Sequence, residues 1–188
     1  QIPLPKHISQ EAVASAILPG KAVDGINPIN AGRLLAGAGD YFAPATPSGG
    51  MEMLHRNGVK IQGANAVVAG RSMIVGKPMA CLLLHEHATV TIAHSRTKDL
   101  GAVCRSADIL AVAIGKAGVI TGDMVKPGAV VIDFGVNFVE GKMTGDVDFA
   151  SASQVAGAIT PVPGGTGPVT NMMLVRNTLA AAKRGAAK

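Results

Sequence analysis

The chain has 188 residues, 48% of them apolar, 15% charged and 3% aromatic, with 24 Gly and 11 Pro. So much apolar content with so few charges excludes a disordered chain and suffices for one large or two small domains around a sizeable core. The formal net charge of +5 comes from scattered Lys and Arg, with one Tyr and no Trp. That excludes base-stacking platforms, leaves no nucleic acid among the expected partners, and fits attraction of a polyanionic small molecule.

The chain opens on Gln1-Ile2-Pro3-Leu4-Pro5 without an initiator Met, and this start reads as the middle of a strand-to-loop passage, so that a processed or truncated chain is expected. A short helix is expected from Ser9 to Ala16, where Ser9 can cap, Glu11 sits in the first turn and Val13, Ala16 and Ile17 share a face; Pro19-Gly20 ends it. Asp24-Gly25 and Asn27-Pro28 read as turn dipeptides, and Ala31 to Leu35 as a short helix closed by Gly37 and Gly39. The run from Ala43 to Gly50, with two Pro and two Gly, has the composition of a domain boundary, and helix is expected only after it, from Met51 to Arg56.

From Ala64 onward the pattern becomes regular. Ala66 to Ala69 is a short apolar strand, Val75 to His85 a helix with Met79, Leu82 and Leu83 on one face, and Thr89 to Ala93 a β-branched strand. This is a βαβ unit. Ala107 to Ile114 and Ala129 to Phe134 are near-continuously apolar, as strands covered on both faces are. The expected fold class is therefore α/β, a Rossmann-like doubly wound parallel sheet with its ligand beyond the carboxyl ends of the strands. Gly167 to Arg184 is a closing helix with Pro168 in its first turn. No apolar run predicts a membrane span, and the first residues carry no signal pattern. Cys81 and Cys104 form neither a disulfide framework nor a zinc motif, which fits a reducing, cytoplasmic setting without a metal.

The turn after the first strand of the βαβ unit is Gly70-Arg71-Ser72-Met73-Ile74-Val75-Gly76. A strand, a glycine turn and a helix start are the context in which backbone N–H groups and the helix dipole hold a pyrophosphate, although here the form is G-x-S-x-x-V-G, which an ordinary βα loop can also take. The end of the second strand bears on the choice of cofactor. A chain that prefers NAD places a carboxylate there, roughly twenty residues on, to bind the ribose hydroxyls. This chain has His94-Ser95-Arg96-Thr97, and no carboxylate before Asp99. A hydroxyl and a guanidinium accept a phosphate dianion that a carboxylate would repel, so NADP is the expected cofactor, with Ser95 and Arg96 as its contacts and Arg71 as a further candidate. Arg96 has the plainer reading of a solvated surface cation. Gly115-Lys116 and Gly135-Val136-Asn137 follow later strands, and Val136 is expected to offer main-chain contacts on the nicotinamide side.

Gln1 to Pro5, Val23-Asp24-Gly25, Thr46-Pro47, Gly70-Arg71-Ser72 with Ile74 to Ala80, His94 to Thr97, Gly145-Asp146-Val147 and Thr160 to Gly165, in this order, resemble the methylenetetrahydrofolate dehydrogenase/cyclohydrolase family. The resemblance implies a two-domain α/β enzyme, usually a homodimer, that oxidises 5,10-methylenetetrahydrofolate with NADP and hydrolyses the methenyl product to 10-formyltetrahydrofolate. It implies that Gly70, Arg71, Ser72, Ser95 and Val136 contact the cofactor. Asp24 would be the folate-binding carboxylate, Gln1 the glutamine beside the catalytic lysine, and Pro163, Gly164 and Gly165 a wall of the folate site. One carboxylate can accept hydrogen bonds from adjacent pterin N–H and amino groups, although an Asp before Gly is also an ordinary turn residue. The implied organisation is 1–45 from a folate-binding domain, 46–160 as the NADP-binding domain, and 161–188 returning to the first. The family's catalytic lysine lies in a Tyr-x-x-x-Lys pattern, whereas Tyr41 here is followed four positions later by Ala45. Ala45 stands where the family often has Cys, and Thr166 where Val is usual. A non-catalytic NADP-binding module and an unrelated NADP-dependent dehydrogenase are the competing readings.

Overall fold

The computed structural model describes residues 4–186. Three helices come first: α1 (Gln10–Ala16), α2 (Pro28–Ala36) and α3 (Ala45–Arg56). The alternating part follows as β1 (Asn65–Ala69), α4 (Gly76–His85), β2 (Thr89–Ala93), α5 (Leu100–Arg105), β3 (Ile109–Val112) and β4 (Val130–Asp133). A small hairpin, β5 (Asn137–Val139) and β6 (Lys142–Thr144), then α6 (Phe149–Ala152), β7 (Ala158–Ile159) and the long α7 (Thr166–Ala186) complete it.

The five-stranded sheet has the order β2-β1-β3-β4-β7, with every pairing parallel. From β1 the chain moves outward to β2 and then returns to the other side of β1 as β3. The strand order therefore reverses between β1 and β3, and a crevice opens there beyond the carboxyl ends of the strands. The expected doubly wound sheet is present, and its most apolar runs are its middle. β3 is buried throughout and β1 at all but its first residue. β2, with alternating Thr, is the exposed edge. Successive side chains of a strand point to opposite faces. Val68, Ile109 and Ile132 accordingly pack with Leu54, Met79 and Leu83 of α3 and α4 on one side. Val67, Leu110 and Val131 pack with Cys104, Ile120 and Val125 on the other.

The helices correct the sequence expectation twice, both times at proline. Asn27-Pro28 is the start of α2 rather than a turn: the Asn27 side chain accepts from the Ile29 N–H at 2.8 Å, and Pro28 occupies the first helical position, where no N–H is needed. The Pro/Gly run before Met51 is the first half of α3 and not an irregular connection, with Pro47, Ser48, Gly49 and Gly50 all buried. Its glycines serve close packing. A Cβ on Gly50 would meet the Phe134 ring at 2.5 Å, and one on Gly49 would meet the backbone nitrogen of Thr170 in α7 at 3.4 Å. Among the described residues no strand precedes β1, and α7 returns to the N-terminal helices and the loops around them.

Candidate functional site

The β1–α4 turn is built by absence of side chains. Gly70 has φ +148°, and a Cβ there would run into the Ala113 carbonyl oxygen beyond β3; a Cβ on Gly76 would run into the carbonyl oxygen of Gly70. Ser72, where the commoner motif has glycine, has its own task. Its Oγ accepts from the N–H groups of Val75 at 3.1 Å and Gly76 at 3.3 Å, satisfying donors at the head of α4 and keeping its proton to donate elsewhere.

Beyond β2, residues His94 to Thr97 close a tight turn. The His94 N–H donates to Thr97 Oγ1 at 2.8 Å, the Thr97 N–H to the His94 carbonyl at 2.8 Å, and the Arg96 N–H to His94 Nδ1 at 3.1 Å. Between these turns and the end of β3 lies a cavity of about 400 Å³, lined among others by Gly70, Arg71, Ser72, Ser95 and Lys116. Its lining holds two cationic side chains and no carboxylate. Asp99, the nearest acid in sequence, instead caps α5, accepting from the Ala102 N–H at 2.9 Å. Glycines that leave backbone N–H groups uncovered, two hydroxyls, a guanidinium and an ammonium fit the phosphates of a phosphorylated dinucleotide.

A second cavity, also about 400 Å³, adjoins the same turn. Ile74 lines it, together with Lys21, Asp24, Pro44, Thr46 and Thr170. Asp24 is half-buried, and its Oδ1 accepts only a long bond, 3.3 Å, from the Ile26 N–H, so the carboxylate keeps acceptor capacity toward the cavity.

The remaining expected residues are distributed less tightly. Arg96 is exposed and is not part of the first cavity's wall, and Val136, 61% exposed, also stands outside that wall. Pro163, Gly164 and Gly165 form the turn into α7, with a cis Val162–Pro163 peptide, Gly164 at φ +99° and Gly165 where a Cβ would strike the Pro161 carbonyl oxygen. This turn precedes the part of α7 that lines the Asp24 cavity without lining it itself. Gln1 lies outside the described residues.

Two positions escaped the sequence reading. Asn177, buried on α7, donates to the carbonyls of Val23 at 2.8 Å and Ala43 at 3.1 Å, tying the loops on both sides of Asp24. An Asn within an Ala/Leu-rich helix is the signal that could have found it. Asp146, fully buried beside Gly135, was noticed only as part of a motif. Nucleophilic thiol chemistry is not supported: burial pushes Cys81 up, and Cys104 up to about 11, so that both remain protonated near neutrality. Among the described residues no group of His, Cys, Asp or Glu could hold a metal ion, and no helix is long and apolar enough to cross a membrane.

Comparison with known proteins agrees with this geometry. Residues 44–186 match the family described as tetrahydrofolate dehydrogenase/cyclohydrolase, NAD(P)-binding domain. The bifunctional protein FolD of a Roseiflexus species is 62% identical over 184 residues, which is 97% of this chain and 64% of that protein. The bifunctional protein FolD of Burkholderia thailandensis is 60% identical over 188 residues, covering 100% of this chain and 66% of the relative. The chain thus spans somewhat less than two thirds of the length of these relatives. Among solved structures, the Campylobacter jejuni FolD methylenetetrahydrofolate dehydrogenase/cyclohydrolase superposes with a TM-score of 0.95 at 46% identity, over 98% of this chain and 66% of that one. The Trypanosoma brucei dehydrogenase-cyclohydrolase, solved with NADP and an inhibitor, gives 0.94 at 42% identity, over 100% and 67%.

Proposed function

Since the chain belongs to the tetrahydrofolate dehydrogenase/cyclohydrolase family through its NAD(P)-binding domain, we propose that it binds NADP in the first cavity and serves one-carbon folate interconversion. The reaction is NADP-dependent oxidation of 5,10-methylenetetrahydrofolate, followed by hydrolysis of the methenyl product to 10-formyltetrahydrofolate. The observation that carries the cofactor choice is the cavity wall, where Arg71, Ser72, Ser95 and Lys116 gather without a carboxylate.

Gly70 and Ser72 hold the pyrophosphate, and Arg71 and Ser95 hold the ribose phosphate. When bound, NADP supplies the hydride acceptor. The chain's own contribution to that step is placement, because hydride transfer needs two rings held at reacting distance and no protein acid or base. Asp24 anchors the pterin in the cavity that Ile74 lines, so the turn that carries Gly70, Arg71 and Ser72 borders both ligands. The hydrolysis needs a base, and no Tyr-x-x-x-Lys pattern occurs in these 188 residues. In this reading residues 1–45 belong to the folate unit, 46–160 to the NADP unit, and 161–188 return to the first. A homodimer and a cytoplasmic location complete it, the first on the family resemblance and the second on the free thiols Cys81 and Cys104.

Titration calorimetry of NADP and NAD tests the proposal. NADP is expected to bind more tightly, and Ser95→Asp, which faces the ribose phosphate with a carboxylate, is expected to cost NADP about tenfold or more while sparing NAD. Equal affinity of the unaltered chain for both nucleotides would overturn it.

A further inference from the structure

Two carboxylates are sealed inside the molecule at the ends of β3 and β4. Asp133 is 2% exposed and Asp146 is 0% exposed, and neither has a cationic partner among the described residues. Asp146 Oδ2 accepts from the N–H groups of Ile114 at 2.6 Å and Gly115 at 2.7 Å, and its Oδ1 accepts from Asn137 Nδ2 at 2.8 Å. Asp133 Oδ1 accepts from the N–H groups of Gly135 at 2.7 Å and Asp146 at 3.1 Å, and its Oδ2 accepts from that of Val147 at 2.9 Å. The site is shaped for this pair: a Cβ on Gly135 would collide with the Asp146 carboxyl, and one on Gly145 with that of Asp133.

Burying two carboxyl groups side by side without a counter-ion costs more than an apolar filling would. Stability alone does not account for it, whereas the bonding partners do. Of the six donors, Ile114, Gly115 and Gly135 belong to the loops that follow β3 and β4, Asn137 opens β5, and Asp146 and Val147 follow β6. Ile114 and Lys116 of the first loop line the cofactor cavity, and Gly135-Val136 is the second loop. Asp133 is also held from behind, its N–H donating to Thr160 Oγ1 at 2.8 Å and its carbonyl accepting from Thr166 Oγ1 at 3.2 Å.

We propose that Asp146, seated on Asp133, is a positioning residue that clamps the Ile114–Gly115 backbone to the Asn137 side chain and, through Asp133, to the Gly135 backbone, and so sets the span over which the two halves of the dinucleotide are held. The proposal rests on the NADP reading of the cavity. It separates the cofactor into a phosphate-anchored adenosine half, received by Arg71 and Ser95, and a second half whose placement depends on the clamp.

The test compares binding of NADPH with binding of 2′,5′-ADP, which carries the phosphorylated adenosine end only. An Asn at position 146 has one acceptor atom, so Asp146→Asn satisfies either the Ile114–Gly115 pair or Asn137 and sets an N–H₂ against the other donor. NADPH affinity is expected to fall about tenfold while 2′,5′-ADP binding changes less than about twofold. The double variant D146N/N137D restores a donor–acceptor match and is expected to recover NADPH affinity. A general loss of structure would weaken both ligands together and would not be rescued. If D146N does not fold, Asn137→Ala removes the side-chain donor to Asp146 while leaving both carboxyl groups in place, and is expected to give the same split at lower amplitude. An unchanged NADPH to 2′,5′-ADP ratio in the folded variants, or a parallel loss without rescue, overturns the clamp. Failure of the unaltered chain to bind either ligand overturns the NADP reading itself.

Discussion

A single methyl group decides whether the β1–α4 turn can form, because the Cα of Gly76 lies against the Gly70 carbonyl and that of Gly70 against the Ala113 carbonyl. Gly76→Ala is expected to force these backbones apart, lowering stability by about 1–3 kcal/mol and weakening nucleotide binding further than the stability loss explains. Thermal unfolding with and without NADP checks this, and a variant with unchanged melting and unchanged NADP shift would refute it. The two glycines were legible as a motif. Ser72 was visible as a departure from that motif, but its capping of α4 was not, since the donors it accepts from are fixed only once the helix direction is fixed.

Among elements, α3 and α7 show how composition misleads and packing corrects. Pro and Gly between residues 44 and 50 have the character of a linker, yet the same residues supply a smooth surface on which α7 and Phe134 settle. Helix propensity is a weak prior against such close contact. Further along α7, Asn177 connects this helix to both loops beside Asp24. Replacing it by Leu leaves the Val23 and Ala43 carbonyls without that partner, which should cost about 1–3 kcal/mol. In a longer form carrying the proposed activity, Asn177→Leu is expected to raise the folate KM more than the NADP KM, and equal changes in both would count against the proposed role in placing Asp24. Strand β2 was recognisable from its β-branched residues, but its position at the edge was not, because edge and centre differ in neighbours that a single segment does not encode.

At the scale of the whole molecule, stability and pH are linked through the buried pair. Burial pushes the Asp133 carboxyl above its ordinary value of 3.8, an effect to which facing Asp146 adds and which the three N–H bonds only partly offset. A carboxyl with a raised value in the folded chain binds its proton more tightly there than in the unfolded chain. Its protonation therefore favours folding, with the gain complete below 3.8 and lost as pH rises through the folded value. Asp133→Asn cannot titrate, so the melting temperature of the unaltered chain relative to this variant is expected to increase as pH is lowered from neutrality toward 4. A difference that stays constant or shrinks would refute the assignment. Asp108 has the opposite sign: its hydrogen bond to Lys126 holds it below 3.8, and its contribution is lost as pH falls through that lowered value.

By itself the sequence determined the alternation of strands and helices and the glycine turn after β1, with hydroxyl and basic groups where NAD would call for an acid. These features are local, carried by periodicity and spacing within a few dozen residues. Only the tertiary structure decided which loops meet. Asp146 reaches Gly115 across 31 positions and Asp133 across 13, and Asn177 reaches Val23 across 154. Hydrogen bonds of that range leave no periodic trace in the chain, because their geometry exists only after the sheet has brought the strand ends side by side.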